Sequence, residues 1–113
     1  MDAYKIVDDC ETSHIGLLES ENRKELLALA TVHVENPQRI MLYGFEVHEN
    51  HRRQGLSGHL LRGVFDFAKK QSDEIEGPVN VVVEAYSRAG RLSLEPQLIK
   101  LSEESENVGY LFD

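Results

Sequence analysis

The hydrophobic pattern of the chain changes once, near residue 50, and this change constrains the fold more than any other feature. Before it, apolar and polar residues alternate, which is typical of half-buried strands. After it, apolar residues recur every three or four positions, which predicts an amphipathic helix over residues 55–71. Because each period requires its own secondary structure, the chain is expected to be neither all-helical nor all-β.

Four strands are predicted before the change, over residues 4–7, 14–19, 25–34 and 39–48. Short polar segments separate them, and Asn36-Pro37 is a strong turn signal between the third and the fourth. Adjacent strands with short turns predict an antiparallel meander. The fourth strand is the clearest, and alternation places its apolar odd positions on one face: Met41, Tyr43, Phe45 and Val47.

After the change, helices and strands alternate. Residues 79–86 are rich in valine and apolar enough for a central strand. Pro96 can occupy a first helical turn, which predicts a short helix over residues 95–104, and residues 109–112 read as a last strand. The order β-β-β-β-α-β-α-β predicts an α+β fold with a mixed, mainly antiparallel central sheet. The crossover through the long helix makes the strands on either side of it parallel neighbours.

Length and charge exclude several classes of function. A chain of 113 residues needs no division, so one domain over residues 1–113 is expected. Twelve Lys and Arg against twenty Asp and Glu give a net charge of -8, which disfavours nucleic-acid binding. The apolar runs are far shorter than the ~20 residues that span a bilayer, and no signal peptide is evident, so a cytoplasmic protein without membrane contact is expected. The five histidines lack ligand spacing and Cys10 stands alone, so no metal is expected.

The start of the long helix carries a binding chemistry. The segment Arg52-Arg53-Gln54-Gly55-Leu56-Ser57-Gly58 places three small residues in its first turn, although glycine in a helix costs up to about 1 kcal/mol relative to alanine. The first N–H groups of a helix lack partners and lie at the positive end of its dipole. Bare amides, small residues and adjacent arginines together predict a pyrophosphate site. The residues alone leave one alternative open, a glycine-softened helix start capped by Ser57.

The stretch FEVHENHRRQGLSGHLL, residues 45–61, resembles the acetyl-CoA-binding segment of the GNAT superfamily of N-acetyltransferases. In that family a strand ending in hydrophobic-x-Val leads through a short loop to Arg/Gln-x-x-Gly-x-Gly/Ala and a helix with paired leucines. Arg52 matches the first motif position and Gly55 its glycine, while Ser57 is small where Gly or Ala is usual. The resemblance implies a GNAT-like fold, shortened at the N-terminal helices and the C-terminal strand.

The resemblance also implies how acetyl-CoA is held. The backbone of Phe45 and Val47 would bond the pantetheine arm like an added strand, because the strands at 40–48 and 79–86 splay apart in such folds. The amides from Arg53 to Gly58 would wrap the pyrophosphate. The implied cofactor-binding residues are Phe45, Val47, Arg52, Arg53, Gln54, Gly55, Leu56, Ser57 and Gly58.

The implied reaction is direct attack of an amine on the thioester of acetyl-CoA, which needs a base for the amine. Glu84 resembles the position where bacterial ribosomal-protein acetyltransferases of this superfamily carry their general base, and Glu46 is a second candidate. The alternative for each carboxylate is an exposed strand residue without a catalytic role, which the residue pattern by itself favours. Tyr86 and Tyr110 are candidates for the proton donor, or for packing alone.

Departures from the family pattern keep a second function open. Ser105 stands where many members place a general-acid tyrosine, and Arg88-Ala89 stands where an asparagine is usual. The short connection between the first two strands leaves out the usual helical pair that covers the acceptor. The alternative is therefore a non-catalytic CoA-binding or protein-interaction module. Exposed sheet edges in so short a chain favour pairing between copies, so a homodimer is also expected.

Overall fold

The computed structural model describes residues 2–8, 12–18, 26–47, 56–84 and 88–112. Its elements follow in the predicted order β-β-β-β-α-β-α-β. They are β1 (Asp2–Asp8), β2 (Thr12–Leu18), β3 (Leu26–Asn36), β4 (Arg39–Val47), α1 (Leu56–Ile75), β5 (Val79–Val83), α2 (Arg88–Glu104) and β6 (Val108–Phe112).

The strands form one six-stranded sheet in sequence order, β1-β2-β3-β4-β5-β6. β1 to β4 pair antiparallel, as the predicted meander requires, and β4–β5 and β5–β6 pair parallel. Both crossovers step in the same direction across the sheet, so their common handedness places both helices on one face. In agreement, α1 contacts all six strands, and α2 contacts α1 and β6. The predicted α+β fold with a mixed sheet is confirmed.

The core lies between the two helices and the sheet. Alternate residues of β3 and β5 enter it, as the period of two requires, and residues of α1 enter it at spacings of three and four. Phe65 of α1 is the largest fully buried side chain. The fully buried residues of α1 are Leu60, Leu61, Val64, Phe65 and Ala68, and their strand partners include Ala28, Ala30, Val32, Ile40, Leu42, Val79, Val81 and Val83.

A β-bulge lies at Tyr43 in the middle of β4. Thr31 and Val32 are adjacent on β3, but their partners on β4 are Gly44 and Leu42. Tyr43 is therefore the extra residue, and its side chain is 44% exposed. A bulge of this kind bends the strand and increases its twist.

Because of this bulge, the prediction that the odd-numbered residues 41–47 share one face of β4 is wrong. An extra residue shifts the alternation by one position, so residues before and after it change faces. Met41 pairs with His33 and Phe45 pairs with Ala30. Because His33 and Ala30 are an odd number of positions apart on β3, Met41 lies on the opposite face of the sheet from Phe45 and Val47.

α2 is longer than the sequence predicts. It begins at Arg88 instead of at residue 95, so Pro96 lies in the helix interior and not in its first turn. Proline has no N–H to donate to the carbonyl of the residue four positions earlier, which weakens the helix there. The helix nevertheless continues, because Leu94, Leu98 and Leu101 on both sides of the proline are buried in the core.

Candidate functional site

The ladder between β4 and β5 ends before β4 does. Their ladder ends at the pair Leu42–Val83, and the backbone N–H of Glu84 donates to the Leu42 carbonyl over 3.3 Å. β4 continues to Val47 while still paired with β3. Within the described strands, residues 44–47 thus have no ladder partner on β5. An extended ligand can hydrogen-bond to such an edge as an added strand does.

The same strand leads, through residues 48–55, to the N-terminus of α1 at Leu56. The first N–H groups of this 20-residue helix have no helical partners, and the helix dipole makes its start positive. The first turn holds no acidic residue that would repel an anion. The connection from β4 to α1 therefore joins a strand edge to an anion-favouring helix start.

Several predicted binding residues lie outside the described residues. These are Arg52, Arg53, Gln54 and Gly55, together with the neighbouring His48 and His51. Leu56, Ser57 and Gly58 are the first three residues of α1, which agrees with a motif that opens a helix. The contacts of this segment with a pyrophosphate stay a prediction.

Gly58 has a packing role that the sequence does not indicate. A Cβ built at this position would lie 3.3 Å from Oε1 of Gln97 on α2. The Gln97 Nε2 in turn donates to the Ser93 carbonyl over 3.3 Å. A side chain at position 58 would therefore contact the end of the Gln97 side chain on α2. The sequence alone cannot distinguish this contact from the close approach of a ligand, because Gln97 lies on a different helix.

Glu84 lies where the two strands separate. It follows Val83, the last residue of β5, and its side chain is exposed. Its position fits a base that exchanges protons with solvent beside a ligand held along β4. Glu46, the second candidate, pairs with Leu29 on β3, whereas Phe45 pairs with Ala30. Glu46 and Phe45 therefore belong to opposite faces of β4, as predicted.

The candidate proton donors do not converge on Glu84 in the described residues. Tyr110 is half-buried in β6, and its ring packs edge-on against Phe112 at a centroid distance of 5.9 Å. Ser105 follows the C-terminal end of α2, at the sheet end where β6 begins. Since β5 and β6 are parallel, Glu84 lies at the other end of the sheet from Ser105. Tyr86 lies outside the described residues.

A shallow depression of about 600 Å³ lies at the Ser105 end of the molecule. Residues 78–80 and 102–109 line it, and they include the carboxylates of Glu103, Glu104 and Glu106. This depression lies at the opposite end of the sheet from the last β4–β5 pair, and its negative charge disfavours a pyrophosphate. We therefore place the candidate site at the β4–α1 connection and not in the depression.

Among the described residues there is neither a group of metal-ligating side chains nor a helix suited to cross a membrane. Across residues 2–8, 12–18, 26–47, 56–84 and 88–112, no three His, Cys, Asp or Glu side chains cluster as metal ligands. Neither of the two helices described combines the length and the apolar character that crossing a membrane demands.

Comparisons with known proteins agree with the fold. The family model of the acetyltransferase (GNAT) family matches residues 2–87, which include β1 to β5 and the whole β4–α1 connection. The crystal structure of the ribosomal-protein-S18-alanine N-acetyltransferase from Escherichia coli is similar, with a TM-score of 0.63 and 22% sequence identity. The similarity covers 80% of this chain and 54% of that one, so the chain spans about half the length of the E. coli protein. At this identity the likeness concerns the fold alone. No curated sequence is similar enough to this chain to count as a relative.

Proposed function

Because the chain belongs to the acetyltransferase (GNAT) family, we propose that it transfers an acetyl group from acetyl-CoA to an amine. The observation that carries the proposal is that β4 extends beyond its ladder with β5, directly before the β4–α1 connection. The unpaired part of β4 offers a strand edge for the pantetheine arm of acetyl-CoA. The start of α1, which follows it in the chain, offers free N–H groups for the pyrophosphate. We place the reaction in the cytoplasm.

The proposed binding of acetyl-CoA uses both parts of the connection. The backbone of Phe45 and Val47 bonds the pantetheine arm, since β5 does not pair with this part of β4. Arg52 and the amides from Arg53 to Gly58 bind the pyrophosphate at the start of α1. Hydrogen bonds to a charged group are worth about 1.5–3 kcal/mol each, so several amides suffice to hold it.

The proposed chemistry is direct transfer without a covalent enzyme intermediate. Glu84 accepts a proton from the ammonium form of the acceptor, and the amine then attacks the thioester carbonyl carbon. The tetrahedral intermediate collapses and the C–S bond breaks. The cationic nitrogen loses one proton to water as the amide forms, and the CoA thiolate takes up a proton from water. We do not assign that proton to Tyr110, because its ring is packed against Phe112. Glu46 is the second candidate for the base.

The proposed acceptor is a cationic amine. The net charge of -8 attracts cations and concentrates them near the molecule. The similar E. coli protein is, by its name, an acetyltransferase for an alanine of ribosomal protein S18. A protein amine is therefore one acceptor class to test, beside small polyamine-like and antibiotic-like amines.

A second candidate function is a CoA-binding or protein-interaction module without catalysis. The residue at position 105 favours it, because a serine stands where many GNAT members have a general-acid tyrosine. This candidate shares the binding of CoA with the first and differs from it only in turnover.

Thermal unfolding with and without acetyl-CoA tests the binding that both candidates share. Ligand at about 100 times its dissociation constant adds about 2.7 kcal/mol, which corresponds to a Tm increase of roughly 10 °C or more in a domain of this size. Gly55→Glu should abolish the increase, because it places a side chain and a negative charge at the phosphate site. Gly77→Glu, just beyond the other end of α1, is the matched control and should preserve it.

Release of free thiol from acetyl-CoA across a panel of amines then separates the two candidates. Turnover with any amine supports the enzyme, whereas a thermal shift without turnover supports the binding module. A wild-type protein that shows no shift at millimolar acetyl-CoA would contradict both.

A further inference from the structure

We propose that two copies of this chain associate through the outward face of α2, with the two helices antiparallel about a two-fold axis. α2 is apolar on two sides. Leu94, Leu98 and Leu101 are buried against the rest of the molecule. Leu92 and Ile99 point the other way and are 60% and 42% exposed. A surface helix normally has one apolar side, so a second exposed apolar stripe is a candidate contact surface.

The two exposed residues form a single stripe. Leu92 and Ile99 are seven positions apart, which is about two helical turns and brings them to the same side of the helix. Pro96, also exposed, lies between them on this side. The stripe is therefore continuous over the middle of α2.

Opposite charges stand at the two ends of the stripe. Arg88 precedes Leu92 by four positions, and Glu103 follows Ile99 by four positions; both charged residues are exposed. The order Arg, Leu, Ile, Glu is therefore symmetric in spacing about the midpoint between residues 95 and 96. When α2 of a second copy is placed antiparallel to the first, each Leu92 lies opposite an Ile99. Each Arg88 then lies opposite a Glu103. An isologous two-fold interface requires this kind of self-complementarity.

A second copy is the occupant that this pattern fits. In an antiparallel pair Leu92 packs against the partner's Ile99, and Arg88 faces the partner's Glu103. Within one chain Arg88 and Glu103 are fifteen positions apart, about 22 Å along the helix, so they cannot pair with each other. Arg88 and Glu103 can thus pair with each other only between copies.

The expected dimer is weak and the expected interface is small. A pair of helices of 17 residues buries less than the about 1,200 Å² at the lower limit of stable interfaces. We therefore expect a dissociation constant in the micromolar range, measured by sedimentation equilibrium at concentrations up to about 1 mM. The monomer has a mass of 12.8 kDa, and the dimer should show twice that mass. The proposal does not depend on acetyl transfer.

Leu92→Glu tests the apolar part of the stripe. The substitution occurs twice in each dimer, so it should raise the dissociation constant by about 100-fold or more. Circular dichroism should show an unchanged fold, because Leu92 is exposed. Leu111→Glu is the matched control: Leu111 is 45% exposed on β6, so a dimer formed through α2 should be unaffected.

A charge exchange tests the ends of the stripe. Arg88→Glu alone and Glu103→Arg alone should each weaken the dimer by about tenfold, since each makes like charges face one another. The double variant should restore the wild-type dissociation constant, because opposite charges face one another again.

Two results would overturn the proposal. The first is a wild-type protein that stays monomeric throughout the concentration range. The second is a dimer that Leu92→Glu leaves intact; if Leu111→Glu disrupts that dimer, the interface lies at the β6 edge of the sheet.

Discussion

Glu84 combines two properties that a base for the amine needs. Its side chain is exposed, so it exchanges protons with water, and its backbone N–H bonds to the Leu42 carbonyl at the end of the β4–β5 ladder. The backbone of Glu84 is thereby anchored next to the strand edge that we assign to the pantetheine arm. The reaction assigned to this residue can be tested separately from binding.

Glu84→Gln should lower kcat for acetyl transfer by about 10²- to 10⁴-fold, the usual contribution of a general base. The thermal shift with acetyl-CoA should persist, because the amide keeps the shape of the side chain. Glu74→Gln on α1, another exposed carboxylate, serves as the control and should leave kcat unchanged. Full turnover by the Glu84 variant at every pH would remove Glu84 as the base and make Glu46→Gln the next test.

At the residue scale, the sequence predicts which side chains occur together but not always which face they share. The helix-opening motif from Arg52 to Gly58 is visible in the sequence, because small residues and arginines are local features. The bulge at Tyr43 is not visible, since it exists only where β3 and β4 pair out of step. The packing of Gly58 near Gln97 likewise depends on a helix that lies far along the chain.

α2 shows at the element scale how packing overrides a local signal. Pro96 lies inside the helix and leaves the Leu92 carbonyl without its usual backbone donor. Burial of Leu98 and of its apolar neighbours on the inward side holds the helix together across this point. The sequence suggests a helix start at the proline because Pro is most favourable in the first turn.

Pro96→Ala should stabilise the protein by about 1–3 kcal/mol, because alanine restores the missing hydrogen bond and has the highest helix propensity. The free energy of unfolding in urea, measured at concentrations where the chain is monomeric, checks this. Since Pro96 is exposed, the substitution removes little buried contact. A loss of stability would show instead that the packing of α2 depends on the proline.

At the scale of the whole molecule, one core joins the two halves of the chain. Residues of β3, α1, β5, α2 and β6 all belong to the same buried cluster. Neither half can therefore lose its structure without exposing apolar surface of the other. This arrangement supports the proposal that residues 1–113 form a single domain.

A single cooperative unfolding transition is the expected consequence. Tyrosine fluorescence can be measured directly because the chain has no tryptophan. Its unfolding midpoint and the midpoint measured by far-UV circular dichroism should be the same. Phe65→Ala should move both midpoints together and lower the free energy of unfolding by about 3–5 kcal/mol, because Phe65 is fully buried at the centre of this cluster. Two separate transitions would instead indicate two independently folding parts.

The sequence by itself determined the order of strands and helices, the parallel pairing of β4 with β5, the amphipathic face of α1 and the motif that opens that helix. These follow from periodicity, from handedness and from neighbouring residues, which act over a few positions of the chain. Only the tertiary structure decided where β4 leaves β5, which side of β4 Met41 occupies, how far α2 extends and that Leu92 and Ile99 stay exposed. Those features depend on strand register and on packing between distant segments, and neither is encoded in a local pattern.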